Sequence, residues 1–300
     1  EMSWRRVGIL TNNFASAALR SGRATFKRGK ALSAWQKAPL GLGAVATGVG
    51  VSTWAVAYCD APNVGQASAA AEVDDNALVD INNLQQFDRN WDGRQPLEGD
   101  KKPTAVRHIV LIRHGHYNDK AKTDTEAILT LKGRQQSRIL AKTLASMPWT
   151  PSRVVVSDMT RAQETLDIIL KDGLPKGTST EVIKDLREGR PCQPTPPSKS
   201  GVYKQKEVDR TKERVDSAFR ALFYRADHAQ TEHSYDVVVC HANVIRYMVC
   251  KVLQLPTEAW LRMGVPHASL TIIAIYPSGS VSLRCLGNTH NLPPDLITYS

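Results

Sequence analysis

Six short runs of β-forming residues, separated by stretches with helical spacing, limit what this chain can fold into more than any other feature. The runs are His108 to Ile112, Arg153 to Ser157, Glu181 to Lys184, Val237 to Cys240, Leu270 to Tyr276 and Val281 to Leu286, bounded by turn residues. Between them, Thr130 caps a helix that continues to Leu144 with Ile139, Leu140 and Leu144 on one face. Thr160 with Gln163 resembles a capping box for a helix through Leu170, and Val208 to Arg225 brings Val215, Ala218, Phe219 and Leu222 together. Alternation of this kind predicts an α/β fold of three layers, a largely parallel central sheet with helices on both faces. The last two runs, joined by Pro277-Ser278-Gly279, read as an antiparallel hairpin.

Open α/β sheets bind ligands beyond the carboxyl ends of their strands. Here those ends carry chemistry. Ile109-Val110-Leu111-Ile112 runs into Arg113-His114-Gly115, an arginine and a histidine with a glycine that would let backbone approach a ligand closely. Val154-Val155-Val156-Ser157 precedes Arg161, which falls in the first turn of a helix, where free N–H groups and the dipole favour an anion. Val237-Val238-Val239-Cys240 delivers His241, and Asp185-Leu186-Arg187-Glu188-Gly189 supplies a carboxylate on a loop leading into Pro194-Thr195-Pro196-Pro197. Two arginines and two histidines at one sheet edge make a cationic pocket suited to a phosphate. Singly, each has a structural reading: an internal ion pair for Arg113, a solvated loop residue for Glu188, a satisfied core histidine for His241. Together they point to one site. His116 reads as a rim or substrate contact, and His108, His228, His233, His267 and His290 as structural.

The net charge is +10, and it is concentrated at one end. Without residues 1–60, which hold eight cationic and two acidic side chains, it falls to +4. No dense basic stripe with interleaved aromatics remains, which argues against nucleic-acid binding. Residues 1–37 are rich in Arg, Ser and Ala and lack acids after Glu1, the composition of a mitochondrial presequence or of a solvated basic tail. Ala38 to Cys59 is uncharged for 22 residues, enough to cross a hydrocarbon core of about 30 Å as a helix. A single transmembrane helix is expected there, a buried core helix being the alternative. The five cysteines show no C-x-x-C spacing, so neither a disulfide framework nor a zinc site is indicated. Cys240 and Cys285 read as buried thiols and Cys192 as exposed.

A linker with no apolar periodicity follows the uncharged stretch, and residues 60–103 precede a catalytic body at 104–300. Within the linker, Phe87-Asp88-Arg89-Asn90-Trp91-Asp92 sets two aromatics four residues apart, each followed by an acid. Such a patch serves either as a docking peptide for another surface or as a strap in which Trp91 packs on its own body.

The set Arg113-His114-Gly115, Arg161, Glu188 and His241 resembles the histidine phosphatase superfamily, with its phosphoglycerate mutase-like fold, over about Val106 to Ser300. Phe87 to Asp92 followed by Arg94-Gln95-Pro96, together with Leu186-Arg187-Glu188-Gly189, His241-Ala242-Asn243-Val244-Ile245-Arg246-Tyr247 and Leu292-Pro293-Pro294-Asp295, is similar to its mitochondrial protein serine/threonine phosphatase branch. Phe87 departs from that branch, which has a tryptophan in a Trp-Asp-x-Asn-Trp-Asp motif. The resemblance implies that His114 is a nucleophile forming a phosphohistidine, and that Arg113, Arg161 and a protonated His241 bind the phosphate. It implies Glu188 as general acid and then base, with no metal or other cofactor. It also implies phosphoserine and phosphothreonine proteins as substrates, self-association through Phe87, Asp88, Asn90, Trp91 and Asp92, and a mitochondrial membrane location. The competing functions are a phosphoglycerate mutase or small-molecule phosphatase, and a mainly scaffolding membrane protein.

Overall fold

The β-forming runs pair into one sheet whose central strands are apolar on both faces and so can be covered on two sides, while the strands at its two edges are exposed or half-buried. A computed structural model describes residues 86–96, 99–289 and 292–299. The basic segment 1–37, the expected transmembrane helix 38–59 and the linker as far as residue 85 lie outside the described residues. Among the described residues no helix is long and apolar enough to cross a membrane.

The strands are β1 (Arg107–Arg113), β2 (Arg153–Val156), β3 (Thr180–Val182), β4 (Ser234–Cys240), β5 (Leu270–Ile275) and β6 (Val281–Asn288), in the spatial order β3-β2-β4-β1-β5-β6. The pairs β2·β3, β2·β4 and β1·β4 are parallel, whereas β1·β5 and β5·β6 are antiparallel. The sheet is therefore mixed. The final hairpin forms as expected, and its first strand lies antiparallel against β1.

Four helices complete the described fold: α1 (Leu131–Ala145), α2 (Thr160–Asp172), α3 (Gln205–Leu222) and α4 (Ala242–Val252). Alternation within the strands divides the core. Ile109, Leu111, Val155 and Val238 face Phe219, Leu222, Val244, Ile245 and Met248 from α3 and α4. Val110, Ile112, Val154, Val156, Val237 and Val239 face Leu140, Leu144, Leu166 and Ile169 from α1 and α2. Burial of each such side chain contributes about 1.5–3 kcal/mol, so register is fixed on both faces at once. Cys240 is fully buried, but Cys285 is only half-buried because β6 is an edge strand; Cys192 is also half-buried rather than exposed.

Thr130 caps α1 as its position suggests, its side chain accepting from the Gly133 N–H at 3.1 Å. The capping box expected at Thr160 and Gln163 does not form. Thr160 is the first residue of α2, and the Asp124 carboxylate, from a loop distant in sequence, accepts both its N–H and its hydroxyl at 3.1 Å. Gln163 instead donates to the Ser157 carbonyl.

Residues 86–96 form a strap on the body, so Trp91 takes the second of its two readings. Its Nε1 donates to the Gly279 carbonyl at 2.8 Å, and its ring centre is 6.1 Å from that of Phe219. A Cβ at Gly279, where φ is +82°, would lie 2.0 Å from the Arg89 carbonyl oxygen, so the strap sits directly on a turn only glycine can make. Asp92 and Arg225 close the strap with a 2.7 Å ion pair whose side chains are 1% and 2% exposed. Phe87 is 37% exposed.

Candidate active site

Parallel β1, β2 and β4 end at the same edge, and that edge gathers Arg113, His114, Ser157 and His241. Antiparallel β5 begins at the same edge, which adds His267, three residues before it. The backbone of His114 is held on both sides: its N–H donates to the Cys240 carbonyl at 3.1 Å and its carbonyl accepts from Ala268 at 3.1 Å.

His114 is 1% exposed, and its two ring nitrogens have distinct partners. Nδ1 lies 2.8 Å from the Gly115 carbonyl, an acceptor, so Nδ1 carries the proton. Nε2 accepts from Arg161 Nε at 3.1 Å, so its lone pair faces the guanidinium. Burial, together with His241, Arg161 and Arg113, holds the imidazole well below the usual histidine range. It is a neutral ring with a nucleophilic nitrogen aimed at an anion-binding group.

Arg161 is 5% exposed in the first turn of α2. Tyr117 stacks under it, the Arg161 Cζ 4.6 Å from the ring centre, while the same ring meets His114 edge-on at 5.1 Å. The His241 ring centre is 5.0 Å from that of His114. His241 Nε2 is 2.9 Å from Ser157 Oγ, and its Nδ1 is buried without a hydrogen-bond partner. Burial, Arg161 and Arg113 push this ring far below the usual range as well. The two guanidinium groups disfavour a further cation beside them, and a bound phosphate dianion would favour the protonated form expected of His241.

Arg113 is tied down more than its motif suggests. Nη1 donates to the carbonyls of Val265 and Tyr299 at 2.7 and 2.8 Å, and Nη2 donates to His267 Nε2 at 2.8 Å. Burial lowers its pKa to about 10, so it stays charged at neutral pH. His267 in turn faces Thr298 through Nδ1, 2.9 Å from Oγ1, and burial beside Arg113 lowers it to about 3. The structural reading of His267 therefore misses its place beside Arg113. The C-terminal segment also reaches α1: Gln136 Nε2 donates to the Leu296 carbonyl and Thr298 Oγ1, while Gln136 Oε1 accepts from the His116 N–H.

Glu188 sits on the loop after β3, partly exposed. Its Oε1 accepts from Gly189 N–H at 3.0 Å, and Oε2 lies 3.5 Å from the Asn243 N–H. Burial among the pocket walls raises its pKa against the opposing pull of Gly189, Arg161 and Arg113. A carboxyl raised in this way holds a proton longer than a solvated glutamate.

Gly115 has a different reason from the one its motif suggests. A Cβ there would lie 2.7 Å from the Gly133 carbonyl oxygen, and a Cβ at Gly133 only 1.9 Å from the His116 oxygen. The two glycines let the segment after β1 pack closely on the start of α1. His116 is on the rim, its Nδ1 2.8 Å from Thr130 Oγ1. His233 and His108 are structural, His233 accepting the Val106 N–H and His108 stacking on Tyr235.

The histidine phosphatase superfamily (branch 1) matches residues 109–288. This chain belongs to that superfamily. A Xenopus tropicalis relative, the mitochondrial serine/threonine-protein phosphatase PGAM5, is 39% identical over 78% of this chain and 90% of its own length. Its Mus musculus counterpart is 41% identical over 71% of this chain and 81% of its own. Among solved structures, the phosphoglycerate mutase of Plasmodium falciparum is 30% identical over 65% of this chain and 99% of that one, with a TM-score of 0.44. The superfamily match takes in Arg113, His114, Arg161, Glu188, His241 and also His267, which has no short motif of its own. Ser157, Tyr117 and Asp124 lie within it too. Tyr117 directly follows the Arg-His-Gly-His stretch, which is the one local signal that could have flagged it.

Proposed function

We propose that this chain is a mitochondrial, membrane-anchored protein serine/threonine phosphatase that works through a phosphohistidine. The observation that carries the reading is the neutral His114, its Nε2 lone pair turned toward Arg161 inside a pocket of two arginines and a second histidine. Nε2 attacks phosphorus in line, the N–P bond forming as the bond to the serine or threonine oxygen breaks. Arg113, Arg161 and His241 hold the equatorial oxygens, and the two guanidinium groups supply the positive charge that a metal would otherwise bring. A serine or threonine alkoxide is a poor leaving group, so Glu188 gives it a proton. Glu188 then takes one from the water that attacks the phosphohistidine, restoring His114 and releasing phosphate.

The names of the curated relatives favour phosphoproteins as substrates and a mitochondrial setting. The uncharged stretch Ala38 to Cys59 is the proposed anchor. The strap Phe87, Asp88, Asn90, Trp91 and Asp92 is the proposed self-association element, with the half-exposed Phe87 ring as its free contact. The test is His114→Ala in the full-length chain, assayed on a phosphothreonine peptide. Turnover should vanish, and a phosphohistidine trapped on the native enzyme should be absent from the variant. Hydrolysis surviving the change would end the assignment.

A further inference from the structure

Glu188 does its work from a loop, and a proton donor on a loop needs something to fix it. After β3 the chain makes a single tight turn at Lys184–Leu186 and has no further regular element until α3. Two side chains from outside the loop donate to its carbonyls between Asp185 and Gly189. From α3, Arg214 Nη1 donates to the carbonyls of Asp185 and Arg187, both at 2.7 Å, and Nη2 donates to the Glu188 carbonyl at 3.3 Å. From α4, Asn243 Nδ2 donates to the Gly189 carbonyl at 3.0 Å, and Arg246 steadies Asn243 Oδ1 at 3.2 Å. The loop is also pressed onto α3. A Cβ at Gly189 would lie 2.5 Å from Thr211 Cγ2 and 3.0 Å from Arg214 Nη2, so the approach requires glycine.

We propose that Arg214 is a positioning residue for the leaving-group acid: by gripping the carbonyls of Asp185, Arg187 and Glu188 it fixes the Glu188 carboxyl relative to His114. The inference rests on Glu188 being that acid. Arg214 is half-buried and its hydrogen bonds go to the loop carbonyls rather than to a reacting group, while its charge is also felt at Glu188 and His241, which is why the charge-keeping Arg214→Lys isolates the grip. The planar fork of a guanidinium suits several carbonyls in fixed directions; a lysine ammonium at the same place is a single point charge on a flexible stem. Loss of the grip leaves the sheet-borne His114, Arg161 and His241 where they are. It therefore affects protonation of the departing oxygen more than attack on phosphorus.

The experiment compares two substrates with the full-length chain and its Arg214→Lys, Arg214→Met and Glu188→Gln variants. One is a phosphothreonine peptide, whose leaving group needs a proton; the other is p-nitrophenyl phosphate, whose leaving group does not. The quantity is kcat/KM, which reports events up to the first irreversible step and so excludes hydrolysis of the phosphohistidine. Both Arg214 variants should lose about 10- to 100-fold on the peptide, less than the full effect of an acid, and less than about threefold on the aryl ester. Added to Glu188→Gln, Arg214→Lys should cost the peptide reaction nothing further. Equal losses on both substrates, or a full additional loss in the Glu188→Gln background, would overturn the inference. Arg214→Lys keeps the charge and serves if Arg214→Met does not fold. A selective loss in Glu188→Gln with none in Arg214→Lys rejects the grip and leaves the acid standing. No selective loss in Glu188→Gln rejects both.

Discussion

Removal of the Asp92 carboxylate should undock the strap, and the size of the effect follows from what Arg225 would be left with. The Asp92 oxygens accept from the Arg225 backbone N–H at 2.8 Å, from Nε at 3.0 Å and from Nη2 at 2.7 Å, in a pair almost without solvent contact. Nη2 keeps one other acceptor, the Arg89 carbonyl, which belongs to the same strap. Asp92→Ala therefore leaves a buried cation facing a methyl group, and breaking such a pair from one side costs about 3–5 kcal/mol. That is a large part of the roughly 5–15 kcal/mol that holds a domain folded. The molecule has a cheaper exit: the strap can lift off and let water reach Arg225, which caps the loss at the docking free energy of residues 86–96. Three measurements separate the cases. Urea midpoints give the total loss, limited trypsin at Arg89 and Arg94 reports strap release, and sedimentation reports any change in self-association. Arg225→Met in the Asp92→Ala background should recover about half of the loss or more, because no buried cation remains. The acid limb has a defined sign. Burial pushes the Asp92 carboxyl up, but the hydrogen bonds and charge of Arg225 outweigh it and hold the pKa below 3.8. The pair's stabilisation is therefore complete above the ordinary carboxylate range and is lost as the pH falls through the lower folded value. The variant should lack that limb. Asp92→Ala within about 1 kcal/mol of the native protein, with the strap still resistant to trypsin, would refute the reasoning.

His267→Phe removes the Nε2 acceptor of Arg113 Nη2, and loss of a buried hydrogen bond to a charged group costs about 1.5–3 kcal/mol. Expressed in the transition state, this lowers kcat on a phosphopeptide by roughly tenfold with little change in KM, and an unaltered kcat by steady-state kinetics would contradict it. For pH, kcat/KM on a phosphothreonine peptide should fall as pH rises through the raised pKa of Glu188, while an aryl phosphate shows no such limb. Because His114 is held well below 6.5, no loss from its protonation should appear near that pH, and an acid limb there beyond that of the phosphate ester itself would count against the assignment.

The parts of this fold that could be read in advance are those set by local pattern. The cores of β1, β2 and β4 are continuous apolar runs, and Pro277-Ser278-Gly279 announces the hairpin between β5 and β6. Helix α4 has no such signature, since Val244, Ile245, Tyr247, Met248, Val249, Cys250 and Val252 are all buried and leave too little polar face to mark a period. The cap on α2 comes from Asp124, 36 residues earlier than Thr160, so the local Thr160–Gln163 pattern suggested a partner that the tertiary structure replaces. His267 became visible only once β5 was known to run antiparallel to β1, which carries the segment leading into β5 to Arg113, 154 residues from His267 in sequence. Likewise the aromatic-acidic strap had two equal readings until Gly279 and Arg225 supplied its partners.

The site is built from two supports of different stiffness. His114 and His241 stand just beyond strand ends and Arg161 in the first turn of α2, and the His114 backbone is hydrogen-bonded to Cys240 at the end of β4 and to Ala268 in the segment that leads into β5. A change there has to disturb the sheet. Glu188 hangs on the long loop between β3 and α3, gripped there by Arg214 and Asn243, and α3, which carries Arg214, also carries Phe219 under Trp91. Arg214 and Phe219 are five positions apart, about 7.5 Å along one helix. That helix is pinned to the core by Val208, Val215, Ala218 and Leu222, so it behaves as a rod between strap and acid rather than as a hinge. Whatever the strap does to α3 is therefore felt first at Glu188, the proposed proton donor, and last at His114, Arg161 and His241, the proposed phosphate site. A perturbation of the strap should thus sort substrates by the basicity of their leaving groups, and leave the affinity for phosphate nearly as it was.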